Sequence, residues 1–303
     1  MTRPAASAKL YARPTAFVDG PFGCAEQCAR LAGGLQIFTA WDVIATDNGK
    51  RTGQWLVPVA EMDKWCAGLA EDQAARITAM CRAATTPRAP LKLGGTQLLL
   101  DSPKIMGIVN LTPDSFSGGN DALGDAERCA AMARDMAAQG AAIIDLGGES
   151  TRPGAEIVWE GDELNRVIPV VEALRDSGLA LSIDTRKAAV MSAGLAAGAH
   201  MINDVSALLY DDRALDVVAR SNCPIVLMHF PGTPQDPHRN DSYGDVLTEI
   251  YDWLEARIDA LVSAGLDRAR MIPDPGIGFG KSRVYMVRSQ MLSISAKAKP
   301  VST

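Results

Sequence analysis

The 303-residue chain has little of what metal and nucleophile chemistry usually needs, with three histidines and six cysteines, none at ligand spacing. Cys24 and Cys28 stand four apart, but no second pair or nearby histidine completes a tetrahedral set. The thiols therefore read as reduced core residues. Every apolar run is broken by a charge or a glycine before the roughly 18 residues that a membrane helix requires. The opening MTRPAASAKLYARP lacks the continuous apolar core of a secretory signal, which points to a cytoplasmic protein with no membrane partner. Positive charge is also scarce. The formal net charge is −6, residues 1–100 being net basic and the remainder net acidic, which argues against a nucleic-acid partner.

What is present is a globular composition: 47% hydrophobic, 22% charged, mean hydropathy +0.02. That excludes general disorder and leaves room for a large core. Residues 1–90 show no alternation of helix and strand. They read as extended at Leu35–Ile44 and Gln54–Val59 and helical from Ala60 to Ala84, an N-terminal extension of unknown role that ends in the linker TTPRAP at residues 85–90. From Leu91 the pattern changes. Leu91–Leu100, with Gly94-Gly95 at its turn, reads as a hairpin suited to plug one end of a barrel. Short apolar runs follow at Ile105–Leu111, Ala141–Leu146, Leu179–Ile183, His200–Asn203, Pro224–Met228 and Arg270–Ile272. Between them, Asp125–Gln139, Glu163–Asp176 and Gly244–Ala264 carry apolar residues at helical spacing and stop at glycine. This is the pattern of a parallel sheet wound with crossover helices.

Polar residues stand at the end of each run: Asn110, then Asp145 with Thr151 and Arg152, then Asp184, Asn203-Asp204, His229 and Asp274. In parallel α/β folds the carboxyl ends of the strands share one rim, and the ligand-binding loops gather there. Singly each has a plain structural explanation, Asp184-Thr185 as a helix cap and Asn203-Asp204 as a turn former. Repetition at six strand ends favours a site. The histidines at 200, 229 and 238 read as structural. Gly276 to Ser282 imitates a phosphate loop, but Pro275 occupies the place of the first glycine in G-x-x-x-x-G-K-[ST].

Six ordered segments carry a resemblance: NLTPDSFS (Asn110–Ser117), IDLGGESTRPGA (Ile144–Ala155), SIDTRKAAV (Ser182–Val190), INDVSAL (Ile202–Leu208), VLMHFPGTP (Val226–Pro234) and DPGIGFGK (Asp274–Lys281). Together they resemble the motifs of dihydropteroate synthases, pterin-binding enzymes, over about residues 91–281. The resemblance implies a (β/α)8 barrel of the TIM type, and condensation of 6-hydroxymethyl-7,8-dihydropterin diphosphate with p-aminobenzoate in folate biosynthesis, with release of pyrophosphate. By the same resemblance Asp184, Asn203 and Asp274 hold the pterin ring over Met228. Asn110 holds Mg²⁺ or the pyrophosphate and acts in catalysis with Arg152. Phe116, Thr151, Arg152, Pro153 and Phe279 form the p-aminobenzoate pocket that sulfonamides would mimic.

Complete members of the family continue with two further strands, bearing S-R-K and R-x-H-D type motifs, and commonly pair as homodimers. Residues 283–303 contain neither motif and read as an atypical tail. The barrel of residues 91–282 is thus expected to stop at about six β/α units, with open edges at its first and sixth strands, marginal stability and weak activity. The abrupt stop fits a frameshift or truncation near residue 281. Ser117-Gly118-Gly119 departs too, lacking the acidic residue the family usually places before the glycines. A non-catalytic pterin- or partner-binding protein and the pterin domain of a folate-dependent methyltransferase remain alternatives. The TPDSF and STRPG segments speak against the latter.

Overall fold

Period-two alternation explains how the chain builds its site. The computed structural model describes residues 3–20, 26–112, 126–152, 154–238 and 242–281. Phe116 and Pro153 lie outside them. The first strands, β1 (Lys9–Val18), β2 (Ala29–Arg30), β3 (Ile37–Asp47) and β4 (Lys50–Pro58), form an antiparallel sheet. β3 is its centre, with β1 on one side and β4 and β2 on the other. The helix expected over Ala60–Ala84 is broken into α1 (Met62–Cys66) and α2 (Glu71–Thr85). β1 went unread in the sequence, because Arg13-Pro14 interrupts its apolar pattern.

A short hairpin, β5 (Leu91–Leu93) and β6 (Thr96–Leu98), leads into six parallel strands: β7 (Ile105–Asn110), β8 (Ala141–Gly147), β9 (Leu181–Asp184), β10 (Met201–Asp204), β11 (Ile225–Met228) and β12 (Met271–Asp274). Each pairs with the next in sequence order, and the crossovers are α3 (Ala126–Ala138), α4 (Glu160–Leu174), α5 (Ala188–Ala197), α6 (Ala214–Arg220) and α7 (Val246–Ser263). All six expected strands and the three expected helices form, within three residues of the sequence reading. α5 was implied only by the cap reading of Asp184-Thr185 and α6 was not foreseen: α5 is apolar on every side, and α6 has only seven residues, so neither shows a helical stripe.

Along these strands alternate residues face opposite sides. Ile144, Leu146, Leu181, Ile183, Ile202, Ile225 and Leu227 pack outward against the helices in one core. The intervening positions face the other way and change character along the strand. Ile143, Met201 and Val226 cluster with Leu91 and Leu93 of the hairpin at the amino ends, whereas Asp145, Asp184, Asn203 and Asp274 stand one step further on and line a cavity. Among the described residues β7 and β12 each have a strand on one side alone, and Ile105 and Ile108 of β7 are exposed.

The N-terminal sheet is joined to this layer through α7. Val246, Leu247, Ile250, Tyr251 and Leu254 share one apolar core with Leu10, Tyr11, Ile44, Ile77 and Met80, while Ile258 and Leu261, further along the same helix, belong to the core of the parallel sheet. Polar contacts rim the junction: Arg76 donates to both carboxylate oxygens of Glu255 at 3.2 Å, and the Tyr11 hydroxyl donates to Asp252 at 2.8 Å. Burial, with Asp252 and Glu255 nearby, pushes the Tyr251 hydroxyl up to about 12.

Candidate functional site

Strand register sets the polar residues side by side. Asn110 pairs with Gly147, Gly147 with Asp184, and Asp184 with Asn203. On the next two strands, Met228 of β11 pairs with Asp274 of β12. The result is a cavity of about 300 Å³ at the carboxyl ends, lined by Asn110, Thr151, Arg152, Asp184, Asn203, Met228, Asp274 and Phe279 and also by Ile108, Thr112, Asp145, Glu149, Ser150 and Val205. Every described residue given a role by the family resemblance is therefore in one place, whereas Asp204 and His229 of the strand-end set do not line it. Met228 belongs to an apolar group with Val205, Phe230, Trp253 and Phe279, so the cavity combines an apolar surface with a set of carboxylates.

These carboxylates are poorly compensated. Burial, and after it the carboxylates of Asp145, Asp204, Glu163 and Glu149, push Asp184 well above the usual carboxylate range. Burial also raises Asp274, against the Gly276 N–H and the Lys281 ammonium that favour its charge. Asp204, adjacent to Asn203, faces away: its carboxylate accepts from Ser206 N, Ser206 Oγ and Leu208 N at 2.6–2.8 Å. It shapes the turn in which Ala207 and Leu208 have positive φ, so of the Asn203-Asp204 pair one residue serves the cavity and the other the loop. Nor does Asp184-Thr185 cap α5, whose first N–H instead finds Asp211 Oδ2 at 3.0 Å.

Behind the loop after β8 lies a buried ionic network. Arg186 donates to Glu149 at 2.9 Å and to the Pro234 carbonyl at 2.8 Å, and Lys187 bridges Glu149 at 3.0 Å and Glu163 at 2.5 Å. Burial alone would raise Glu149, but Arg186 and Lys187 outweigh it and hold the carboxyl below its ordinary value. The network anchors the segment bearing Ser150, Thr151 and Arg152. His238 ties that segment to the last loop: its ring stacks on Phe279 with centroids 4.7 Å apart, and Nε2 lies 2.8 Å from the Thr151 carbonyl. Sequence reasoning set His238 aside because nothing local relates it to residues 87 and 41 positions away.

The phosphate-loop imitation is explained here. Lys281 is buried, and its ammonium donates to the carbonyls of Gly276 at 2.7 Å and Phe279 at 2.9 Å, stapling its own loop. Burial lowers it to about 8 despite Asp274. Gly276 has φ +65°, and a Cβ there would stand 2.1 Å from the His229 carbonyl oxygen. Gly276→Ala is therefore expected to displace the loop carrying Phe279 and to weaken ligand binding at least about tenfold, measured by calorimetric titration. Unchanged affinity would show the loop to be irrelevant to the cavity. His229 is buried against Trp253, ring centroids 5.1 Å apart. Burial and then Lys281 push it down to about 3, so it is neutral and unsuited to act as a base at neutral pH. His200 lies at the other end of the strands, where Nδ1 accepts from Leu181 N.

For a metal, the described residues contain no group of three or more His, Cys, Asp or Glu side chains able to hold one. Asn110 stands at the cavity with its side chain exposed. A single oxygen donor fits a hard cation such as Mg²⁺, which keeps most of its waters and takes few protein donors. No helix of the described residues is long and apolar enough to cross a membrane.

The cavity thus combines strand-end carboxylates with an apolar group on a parallel β/α sheet. The pterin binding enzyme family matches residues 106–290, and the chain belongs to that family. Within it, the relatives it resembles are dihydropteroate synthases. The Bacillus subtilis dihydropteroate synthase is 45% identical over 181 residues, 59% of this chain and 60% of that protein. Among solved structures, the Xanthomonas albilineans dihydropteroate synthase with 4-aminobenzoic acid superposes with a TM-score of 0.60 at 48% identity, covering 66% of this chain and 70% of that one. The Burkholderia cenocepacia dihydropteroate synthase complexed with 7,8-dihydropteroate gives 0.55 at 47% identity, with 64% and 66% covered. The chain thus spans about two thirds of the length of these relatives.

Proposed function

We propose that the cavity holds the pterin ring of 6-hydroxymethyl-7,8-dihydropterin diphosphate and presents its methylene carbon to the amine of p-aminobenzoate. The C–O bond to pyrophosphate breaks, the C–N bond forms, and the amine proton passes to solvent. No covalent protein intermediate is called for, so the contribution of the chain is placement and stabilisation of the leaving group. The observation that carries this reading is the convergence of Asp184, Asn203 and Asp274 on one cavity beside Met228. A pterin edge offers N–H donors in a guanidine-like array, which carboxylates accept in paired fashion.

Asn110 and Arg152 line the cavity and are assigned to catalysis, Asn110 by holding the pyrophosphate or Mg²⁺. When bound, that ion would neutralise charge on the departing group. Thr151, Arg152 and Phe279, with Phe116 and Pro153, are assigned to the p-aminobenzoate pocket, the place where sulfonamides would compete.

The reading has a pH signature. Ring donors favour the ionised carboxyls, so the bound pKa values of Asp184 and Asp274 fall below those of the empty cavity. Pterin affinity is then expected to be flat at high pH and to decline as pH drops through the raised values of the empty cavity, with protons released on binding. The stability sign is opposite. Groups whose folded pKa is raised favour the fold at low pH and weigh against it as pH rises. Asp184→Asn should therefore melt a few degrees higher at neutral pH yet bind 6-hydroxymethylpterin about 10- to 100-fold more weakly. Calorimetry in two buffers of different ionisation enthalpy, with a melting curve, checks all three. Pterin-independent behaviour of the cavity would end the reading, and binding without pyrophosphate release would favour a non-catalytic pterin binder.

A further inference from the structure

Asn203 presents a carboxamide, a group with a donor end and an acceptor end that differ little in shape and can be exchanged by a half turn. Which end meets the ligand decides what the pocket selects. Its Nδ2 donates to Asp145 Oδ2 at 2.8 Å. Asp145 is 1% exposed, and its backbone is paired on both sides, with Ile108 of β7 and Ser182 of β9, which fixes where its side chain starts. Burial raises the Asp145 carboxyl, against the Ser182 and Asn203 side chains that favour its charge; in the ionised form that the Asn203 donor favours it only accepts. The opposite amide orientation would bring Asn203 Oδ1 against Asp145 Oδ2 with no proton between them, a repulsive contact in a dry setting.

From this geometry we infer that Asp145 is a positioning residue that locks the Asn203 carbonyl oxygen toward the cavity and thereby makes the pocket select ring edges bearing a donor over those bearing an acceptor. Asp184, next in the same row, adds a further acceptor once ring donors draw its carboxyl into the ionised form. An amino-substituted ring is welcomed, and its oxo counterpart meets oxygen against oxygen. The inference rests on the pterin reading of the cavity and names what in it distinguishes one pteridine from another.

The test is a double-mutant cycle on the full chain, with 6-hydroxymethylpterin and 6-hydroxymethyllumazine, its 2-oxo counterpart, as calorimetric probes. Asp145→Asn preserves shape but accepts either orientation of Asn203. The affinity ratio of pterin to lumazine is expected to fall at least about tenfold, chiefly by a gain for lumazine. In an Asn203→Ala background, Asp145→Asn should leave the ratio unchanged, because there is no amide left to orient. A wild-type ratio retained in Asp145→Asn, an equal loss for both probes, or an effect that persists without Asn203 would each overturn the inference. Should Asp145→Asn fail to fold, Asn203→Ala alone decides, since an unaltered ratio there removes Asn203 from selectivity. Wild-type protein that binds neither probe would sink the pterin reading itself, a result distinct from binding without selectivity.

Discussion

Expressed without residues 1–90, the chain is expected to collect in the insoluble fraction under conditions that keep the full chain in solution. α7 is the reason. Val246, Leu247, Ile250, Tyr251 and Leu254 are each 7% exposed or less, and the core that covers them includes Leu10, Tyr11, Ile44, Ile77 and Met80 of the N-terminal layer. Burying such a side chain is worth about 1.5–3 kcal/mol. Five together amount to roughly the 5–15 kcal/mol by which a whole domain is stable. Glu255 would also lose Arg76, and Asp252 would lose Tyr11 and Lys9. Fractionation and size-exclusion chromatography check the result. A soluble, cooperatively melting 91–303 fragment would show that the two layers are independent, whereas partial rescue by polar substitutions at Val246, Ile250 and Leu254 would confirm the exposed stripe as the cause.

Lys187→Met is expected to cost about 3–5 kcal/mol, the size found when one member of a buried ion pair is removed and the other is left behind. Glu163 is fully buried, and Lys187 is the cation that reaches it, at 2.5 Å, while also holding Glu149 at 3.0 Å. The companion variant Lys187→Met with Glu163→Leu should recover most of the loss, because an apolar pair of similar volume needs no compensation. Urea unfolding reads both as midpoint shifts at constant slope. If the single variant matched wild type, the network would be ornamental, and the loop bearing Thr151 and Arg152 would have to be held by other means.

The pattern of the parallel sheet could be read directly from the chain because it is local. Each strand is a short apolar run closed by a polar residue, and each long crossover helix carries an apolar stripe that stops at glycine. The rim position of Asp184, Asn203 and Asp274 follows from the same rule. The N-terminal layer was harder. Arg13-Pro14 breaks β1 in sequence but not in space, since the strand pairs along one edge with β3. The helix predicted over Ala60–Ala84 divides near Ala67, where the chain must turn to lay α2 across the sheet.

His238 and Asp145 mark the limit most clearly. His238 acts on Thr151 and Phe279 through contacts spanning scores of residues, and Asp145 reaches Asn203 across 58 positions. Lys281, whose neighbours in sequence imitate a phosphate loop, turns back on its own carbonyls because the αL glycine at 276 bends the chain that way.

Local order along the chain therefore determined the β/α alternation and the strand-end polar residues, since these depend on periodicity and spacing that folding merely carries into space, while six motifs carried the family resemblance. Tertiary structure alone decided that α7 serves two cores, that Asp204 faces its loop while Asn203 faces the cavity, and which carboxylates crowd one another. Those outcomes depend on low-dielectric neighbours brought together from distant strands, and no stretch of sequence contains them.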